Sequence, residues 1–113
     1  MPHQVYQGDI GFIPASRAGV KGKLTPVQPQ GDRLIVAYGE VTGHHHSFPA
    51  TCGTISLDEG GTMWCTIDQL THVEHQEHGP VTLEPGFYRV GAPGQRGGQR
   101  EWSDLHEPIR VAD

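Results

Sequence analysis

The stretch LIVAYGEVTGHHHSF, residues 34–48, decides the fold class. Its first five residues are apolar and favour a β-strand from Arg33 to Glu40, which Gly39 and Gly43 end or bend. Three consecutive histidines follow at an internal position, so they belong to the fold and are not a terminal purification tag. We place them on a further strand, where imidazole side chains alternate between two faces.

The rest of the chain has the same short-strand character. Gly (16) and Pro (9) are frequent, which predicts many turns between short segments. The predicted elements are a strand with a bend or bulge at Gly8-Asp9 (5–14), a long surface loop (15–32), an irregular stretch (48–52), a hairpin around DEGG (53–57 and 62–68) and a reversal at LEPG (80–83 and 86–90). Residues 102–109 alone suggest a short helix, with Ser103 as its N-cap. We therefore expect a single all-β domain over residues 1–113, folded as a small barrel or sandwich.

Charge and hydropathy exclude several classes of function. The formal net charge is −5, with 13 acidic and 8 basic residues, so nucleic acid is not an expected partner. The longest apolar run, residues 34–38, is far shorter than a membrane-spanning helix, and residues 1–14 do not resemble a secretory signal. We expect a cytoplasmic protein in which Cys52 and Cys65 are reduced and buried.

The first histidine group has the spacing of a metal-ligand pair. On a strand, His44 and His46 share one face and His45 points to the other. Two imidazoles two residues apart can reach one metal ion at about 2.0–2.1 Å. His44 and His46 are therefore candidate metal ligands.

A second histidine group lies downstream in HVEHQEH, residues 72–78. If this segment is extended, His75 and His78 lie on opposite faces, and they converge only if a turn or bulge falls between them. If it is instead a helical turn, the two histidines lie on one side at i, i+3. The following Gly79-Pro80 favours such a turn. We rank His78 first as a ligand and His75 second, ahead of Glu77 and His72.

The two groups together resemble the metal-binding motifs of the cupin superfamily. His44 and His46 match the first-motif HxH, Gly39 matches its leading glycine, and His78 matches the second-motif histidine. The resemblance implies a cupin-like barrel that holds a divalent metal. Residues 47–57 contain no Glu, so the fourth ligand is expected to be His75, Glu77, Glu40 or water. The segment GEVTGHHH also resembles short uncharacterised bacterial proteins that share GEVTGHxH, which implies no activity.

Two hypotheses of function follow. An imidazole-rich ligand set suits Zn, Fe, Ni, Cu or Mn, and an open position on the ion would allow catalysis on a small molecule, with Glu40 or Glu77 as general acid or base. Four protein ligands would instead give a structural metal. The second hypothesis is a non-enzymatic accessory or protein-interaction module with incidental histidines. Edge strands in a β protein of this size also allow a homodimer.

Overall fold

Short β-strands make up most of residues 2–39, 44–91 and 109–111, the part of the chain that the computed structural model describes. The strands are β1 (Val5–Gln7), β2 (Ile10–Pro14), β3 (Thr25–Pro26), β4 (Arg33–Gly39), β5 (His45–Pro49), β6 (Gly53–Leu57), β7 (Met63–Ile67), β8 (Thr71–Val73), β9 (Val81–Leu83), β10 (Gly86–Gly91) and β11 (Ile109–Val111). Two 3₁₀ turns, Arg17–Gly19 and Ala50–Cys52, complete the described elements.

The strands form three sheets. An antiparallel six-stranded sheet has the order β1-β2-β10-β7-β6-β3, a three-stranded sheet has the order β11-β4-β5, and β8 pairs with β9. Within the smaller sheet, β11 runs parallel to β4, and β4 is antiparallel to β5 with a register shift between Ile35 and Ala37. The described strands give an all-β, sandwich-like domain and do not close into a barrel. The all-β prediction is therefore confirmed in its sandwich form.

The core lies between the sheets. The larger sheet contributes Phe12, Ile55 and Tyr88, and the smaller sheet contributes Val36 and Phe48, all of which are inaccessible to solvent. In β6 and β10, buried positions alternate with more exposed ones, as expected when a sheet has one inner face. In β5, three consecutive residues are buried. Removing this apolar surface from water is the main favourable contribution to folding.

The first strand prediction needs a correction. Residues 5–14 form two strands joined by a tight turn, with Gln7 paired to Ile10, and not one strand with a bulge. Gly8 and Asp9 are the two residues of this hairpin turn, and Gly8 at the first position has a φ of +58°, which favours glycine. The Gly-Asp pair is thus a hairpin signal.

The other element predictions had mixed outcomes. The hairpin around DEGG is confirmed, with Leu57 opposite Met63. At LEPG the chain bends at Pro85 and no hairpin forms, since β9 pairs with β8 while β10 pairs with β2 and β7. The predicted loop 15–32 includes the edge strand β3, which pairs with β6, and the buried Val27, whose backbone N–H donates to the carbonyl of Ile55.

Three further predictions concern the ends of elements and the cysteines. Residues 48 and 49 belong to β5, so the irregular stretch is shorter than expected. The predicted helix at 102–109 lies outside the described residues except for Ile109, which begins β11. Both cysteines are free, with Cys65 buried and Cys52 only partly so.

No helix in the described part of the chain is long and apolar enough to span a membrane.

Candidate functional site

A backbone bridge brings the two histidine groups together. Ser47 on β5 and Glu74, which follows β8, exchange two backbone hydrogen bonds of 3.1 and 2.8 Å. In an antiparallel pair the residue before one partner lies opposite the residue after the other, so His46 faces His75. Their ring centroids are 4.4 Å apart. The bridge therefore determines which histidines meet.

Arg33 reinforces this bridge from β4. Its guanidinium donates to the side chain of Ser47 at 3.1 Å and to the carbonyl of Ser47 at 2.9 Å. The same guanidinium lies 3.2 Å from the carboxylate of Glu74. One side chain thus holds both partners of the bridge.

Four imidazole rings form what we call the histidine cluster, composed of His44, His46, His75 and His78. His75 is central, because its ring lies 5.6 Å from that of His44, 4.4 Å from that of His46 and 4.7 Å from that of His78. The rings of His46 and His78 are 6.2 Å apart. All four metal-ligand candidates from the sequence are therefore neighbours in the fold.

The turn predicted between His75 and His78 is present. The backbone N–H groups of Glu77 and His78 both donate to Nδ1 of His75, at 3.0 and 3.1 Å. Because backbone N–H groups only donate, this Nδ1 must carry its lone pair, and the neutral ring of His75 has its proton on Nε2. The side chain of His75 thus stabilises the turn that brings His78 back to it.

His46 is the buried member of the cluster, with 3% of its surface exposed. Its Nδ1 lies 2.8 Å from Oε1 of Gln7 on β1. Burial lowers the pKa of His46, and the imidazoles of His75, His78 and His45 lower it further, to about 4. His46 is therefore neutral at pH 7, which is the protonation state that a metal ion requires of an imidazole ligand.

The outer members of the cluster are more accessible. His78 is exposed and lies over Gly8, where a Cβ atom would be 2.7 Å from its Nε2. Nδ1 of His44 lies 3.4 Å from Oε1 of Glu77, so the candidate acid or base stands at the rim of the cluster. Burial also lowers the pKa of His75, with further lowering by nearby imidazoles and an opposing effect of Glu77.

His45 and His72 lie outside the histidine cluster. His45 packs edge-on against Tyr38 at 5.9 Å, on the side of β5 away from the cluster, as the alternation of side chains predicts. His72 is exposed, and its Nδ1 lies 3.1 Å from the hydroxyl of Thr82. Glu40 falls outside the described residues.

The four rings have the spacing of metal ligands, but their nitrogen atoms do not point at a common position. Imidazoles that bind one ion through Zn–N bonds of about 2.0–2.1 Å have ring centroids about 5 Å apart, which is close to the spacing in the cluster. Nevertheless, across residues 2–39, 44–91 and 109–111 no group of three or more His, Cys, Asp or Glu side chains has a geometry that could hold a metal ion. The rings are gathered, but their ligand atoms do not converge.

Sequence reasoning missed the residues that support the cluster. In the sequence, Gln7 is far from His46, and Gly8 is far from His78. Arg33 acts through the bridge, since it contacts Ser47 and Glu74. Gly8 carried a readable signal as the first residue of a Gly-Asp hairpin turn. Gln7 gave none, because a single polar residue in a short strand does not reveal which partner it will have across the sandwich.

The fold and these contacts define an all-β sandwich domain with a histidine-lined site at one end of β5. The chain belongs to the family described as a domain of unknown function, DUF8820, whose model matches residues 6–92. The match includes both histidine groups and Gln7. No curated protein and no solved structure matches the chain significantly.

Proposed function

We propose that the histidine cluster binds one divalent transition metal ion, Zn, Fe, Ni or Mn, with ligands drawn from His44, His46, His75 and His78. The observation that carries the proposal is the gathering of four imidazoles from two distant segments at ring spacings of 4.4–6.2 Å. Imidazole is a common ligand for these ions. An all-nitrogen set with at most one carboxylate is unsuited to Ca or Mg.

His46 can bind a metal ion without a change in its protonation state or hydrogen bonding. It is neutral at pH 7, it sits on a strand, and its Nδ1 is already hydrogen-bonded to Gln7. Metal-ligating histidines characteristically use one ring nitrogen for the ion and the other for a hydrogen bond of this kind.

His75 has to rearrange before it can join the ligand set. Its Nδ1 accepts from the backbone of the turn, and its Nε2 therefore carries the proton. To bind an ion through Nε2, the ring must move its proton to Nδ1 and give up both turn hydrogen bonds. Residues 76–78 are exposed, so the turn is free to reorganise without disturbing the core. We infer that metal binding remodels this turn.

The number of protein ligands decides what the metal does. Three protein ligands leave a position for water or substrate, and Glu77 beside His44 then has the placement of a general acid or base. If all four imidazoles bind, the metal is structural. A small-molecule substrate, a cytoplasmic location and a homodimer remain predictions from the sequence, as does the alternative of a protein-interaction module.

Metal content is the test of this proposal. Untagged protein purified without chelator is analysed for transition metals, before and after incubation with Zn, Fe, Ni or Mn. We expect about one equivalent in the wild type and in His72→Ala, which removes an exposed histidine outside the cluster, and none in the His44→Ala, His46→Ala double variant. Absence of metal from the wild type, with no uptake of any added ion, would overturn the proposal and favour the interaction module.

A further inference from the structure

Gln7 joins three segments of the chain through one buried carboxamide. The residue is 2% exposed and ends strand β1. Its Nε2 donates to the carbonyl of Val73 at 2.9 Å and to the carbonyl of Gly79 at 2.9 Å. Its Oε1 lies 2.8 Å from Nδ1 of His46. Every polar atom of the side chain therefore has a partner.

These contacts fix the orientation of the amide. A backbone carbonyl can only accept a hydrogen bond, so the atom that faces Val73 and Gly79 must be the NH₂ group. The oxygen must then face His46, and because an amide oxygen only accepts, Nδ1 of His46 has to carry a proton. A neutral imidazole with its proton on Nδ1 has its lone pair on Nε2. The carboxamide thus selects one tautomer of His46.

The same amide holds the segment that carries the other cluster members. Val73 is the last residue of β8, and Gly79 follows His78. The two carbonyls that Gln7 binds therefore lie at either end of residues 74–78, which contain His75 and His78. A single NH₂ group bonded to both ends keeps that segment closed over His46.

We propose that Gln7 is the positioning residue of the site: it presents Nε2 of His46 as the metal-binding nitrogen and holds the segment of His75 and His78 against it. The expected effect on metal affinity rests on the proposed function, whereas the tautomer of His46 follows from the hydrogen bonds of Gln7 and does not depend on metal. Gln7 does not contact the ion itself. Loss of such an outer hydrogen-bonding partner typically weakens metal affinity by about 10–100-fold.

Two variants separate the accepting oxygen of Gln7 from its donating NH₂ group. Gln7→Met has a similar length and removes both the acceptor and the donors. Gln7→Glu keeps an oxygen to accept from His46, but the second oxygen of the ionised carboxylate faces the carbonyls of Val73 and Gly79 and cannot donate to them. Gln4→Met is the matched control, because Gln4 lies just before β1 and donates to the hydroxyl of Tyr6 at an exposed position.

The tautomer of His46 is read by ¹⁵N NMR of the metal-free protein at pH 8, where the ring is neutral, and the Kd for Zn is measured on the same samples. We expect Nδ1–H at His46 in the wild type, Gln4→Met and Gln7→Glu, and a mixture of tautomers in Gln7→Met. We expect the Kd for Zn to rise about 10–100-fold in Gln7→Met and to be unchanged in Gln4→Met. A purely structural role would lower stability without moving the tautomer.

Three results distinguish failure of this inference from failure of the metal function. Nε2–H at His46 in the metal-free wild type overturns the inference, and it does so even if Gln7→Met does not fold. An unchanged Kd in a folded Gln7→Met overturns the positioning role. Nδ1–H at His46 in a wild type that takes up no metal supports the tautomer assignment and overturns the proposed function instead.

Discussion

Gly8 makes room for the imidazole of His78 in the turn between β1 and β2. A Cβ atom on Gly8 would lie 2.7 Å from Nε2 of His78, closer than real Cβ atoms approach other atoms. Gly31 offers a control, because it too has a positive φ, of +63°, but a Cβ atom there would have nothing within 4 Å. A substitution by alanine would therefore strain the backbone at either glycine, but only at Gly8 would the new Cβ atom meet the histidine cluster.

Gly8→Ala and Gly31→Ala are each expected to lower the free energy of unfolding by about 1–2 kcal/mol, the cost of a left-handed conformation for a residue with a Cβ atom. Only Gly8→Ala should also displace His78 and weaken Zn binding. Urea denaturation measures the first effect and Zn titration the second. Equal Zn affinity in the two variants would show that His78 does not contribute to the site.

The lowered pKa of His46 makes the free energy of unfolding depend on pH. Its pKa is lowered from 6.5 to about 4 in the folded chain, so the unfolded chain binds more protons between those two pH values. The stabilising effect is fully present above pH 6.5 and is lost as the pH falls towards 4. Its size is about 3 kcal/mol, from 1.36 kcal/mol per unit of pKa.

The free energy of unfolding of the metal-free protein should therefore fall between pH 6.5 and 4, and His46→Gln should flatten this part of the profile. His75 acts in the same direction, since its pKa is also lowered, so some pH dependence should persist in the variant. Urea denaturation at several pH values measures both proteins. A wild-type profile no steeper than that of His46→Gln would contradict the assignment.

At the scale of elements, the β6–β7 hairpin is held by one buried carboxylate. Asp58 is 1% exposed and accepts hydrogen bonds from three backbone N–H groups and from the indole of Trp64. Burial raises the pKa of Asp58, but these hydrogen bonds outweigh it and leave the pKa below its ordinary value. One of the backbone donors is Lys21, so the carboxylate also fastens the 15–32 segment to this turn.

Asp58→Asn should destabilise the fold by about 2–4 kcal/mol, because an amide replaces one accepting oxygen with an NH₂ group that faces donors. Glu59→Gln is the control: Glu59 accepts from the backbone of Lys23 at an exposed position, and a glutamine oxygen can still accept there. Thermal or urea unfolding measures both variants. Equal small effects would show that the Asp58 contacts do not hold the hairpin.

The elements that sequence patterns predicted are those with local signals. The apolar run of β4 and the turn DEGG between β6 and β7 each specify their structure within a few residues. The partner of β9 had no such signal, because pairing with β8 depends on how the sheets meet across the sandwich. Gly8-Asp9 had a local signal, but glycine at that position suits both a bulge and a hairpin turn.

The candidate site was predictable in its residue types and only partly in its geometry. Two histidine-rich segments suggested the cluster, and strand alternation separated His45 from its neighbours. The bridge between Ser47 and Glu74 that joins the segments is a long-range pairing without a sequence signature. The orientation of Gln7 likewise depends on carbonyls that only the folded chain brings together.

At the scale of the whole molecule, a metal that binds only the folded chain must stabilise it. Free Zn at 100 times its Kd should raise the free energy of unfolding by about 2.7 kcal/mol. We expect this increase in the wild type and in His72→Ala, and not in the His44→Ala, His46→Ala double variant. Unfolding curves with and without Zn measure it. An equal increase in all three proteins would place the bound ion outside the cluster.

The central claim is that one ion binds within the histidine cluster. Anomalous diffraction from crystals of the Zn-loaded protein, recorded on both sides of the Zn absorption edge, locates the ion by residue. The account predicts one strong peak about 2.0–2.1 Å from Nε2 of His46, with further ligands from His44, His75 or His78 and a remodelled turn at 75–78. A cluster without a peak, or Zn bound only at His72 or other exposed side chains, would contradict it.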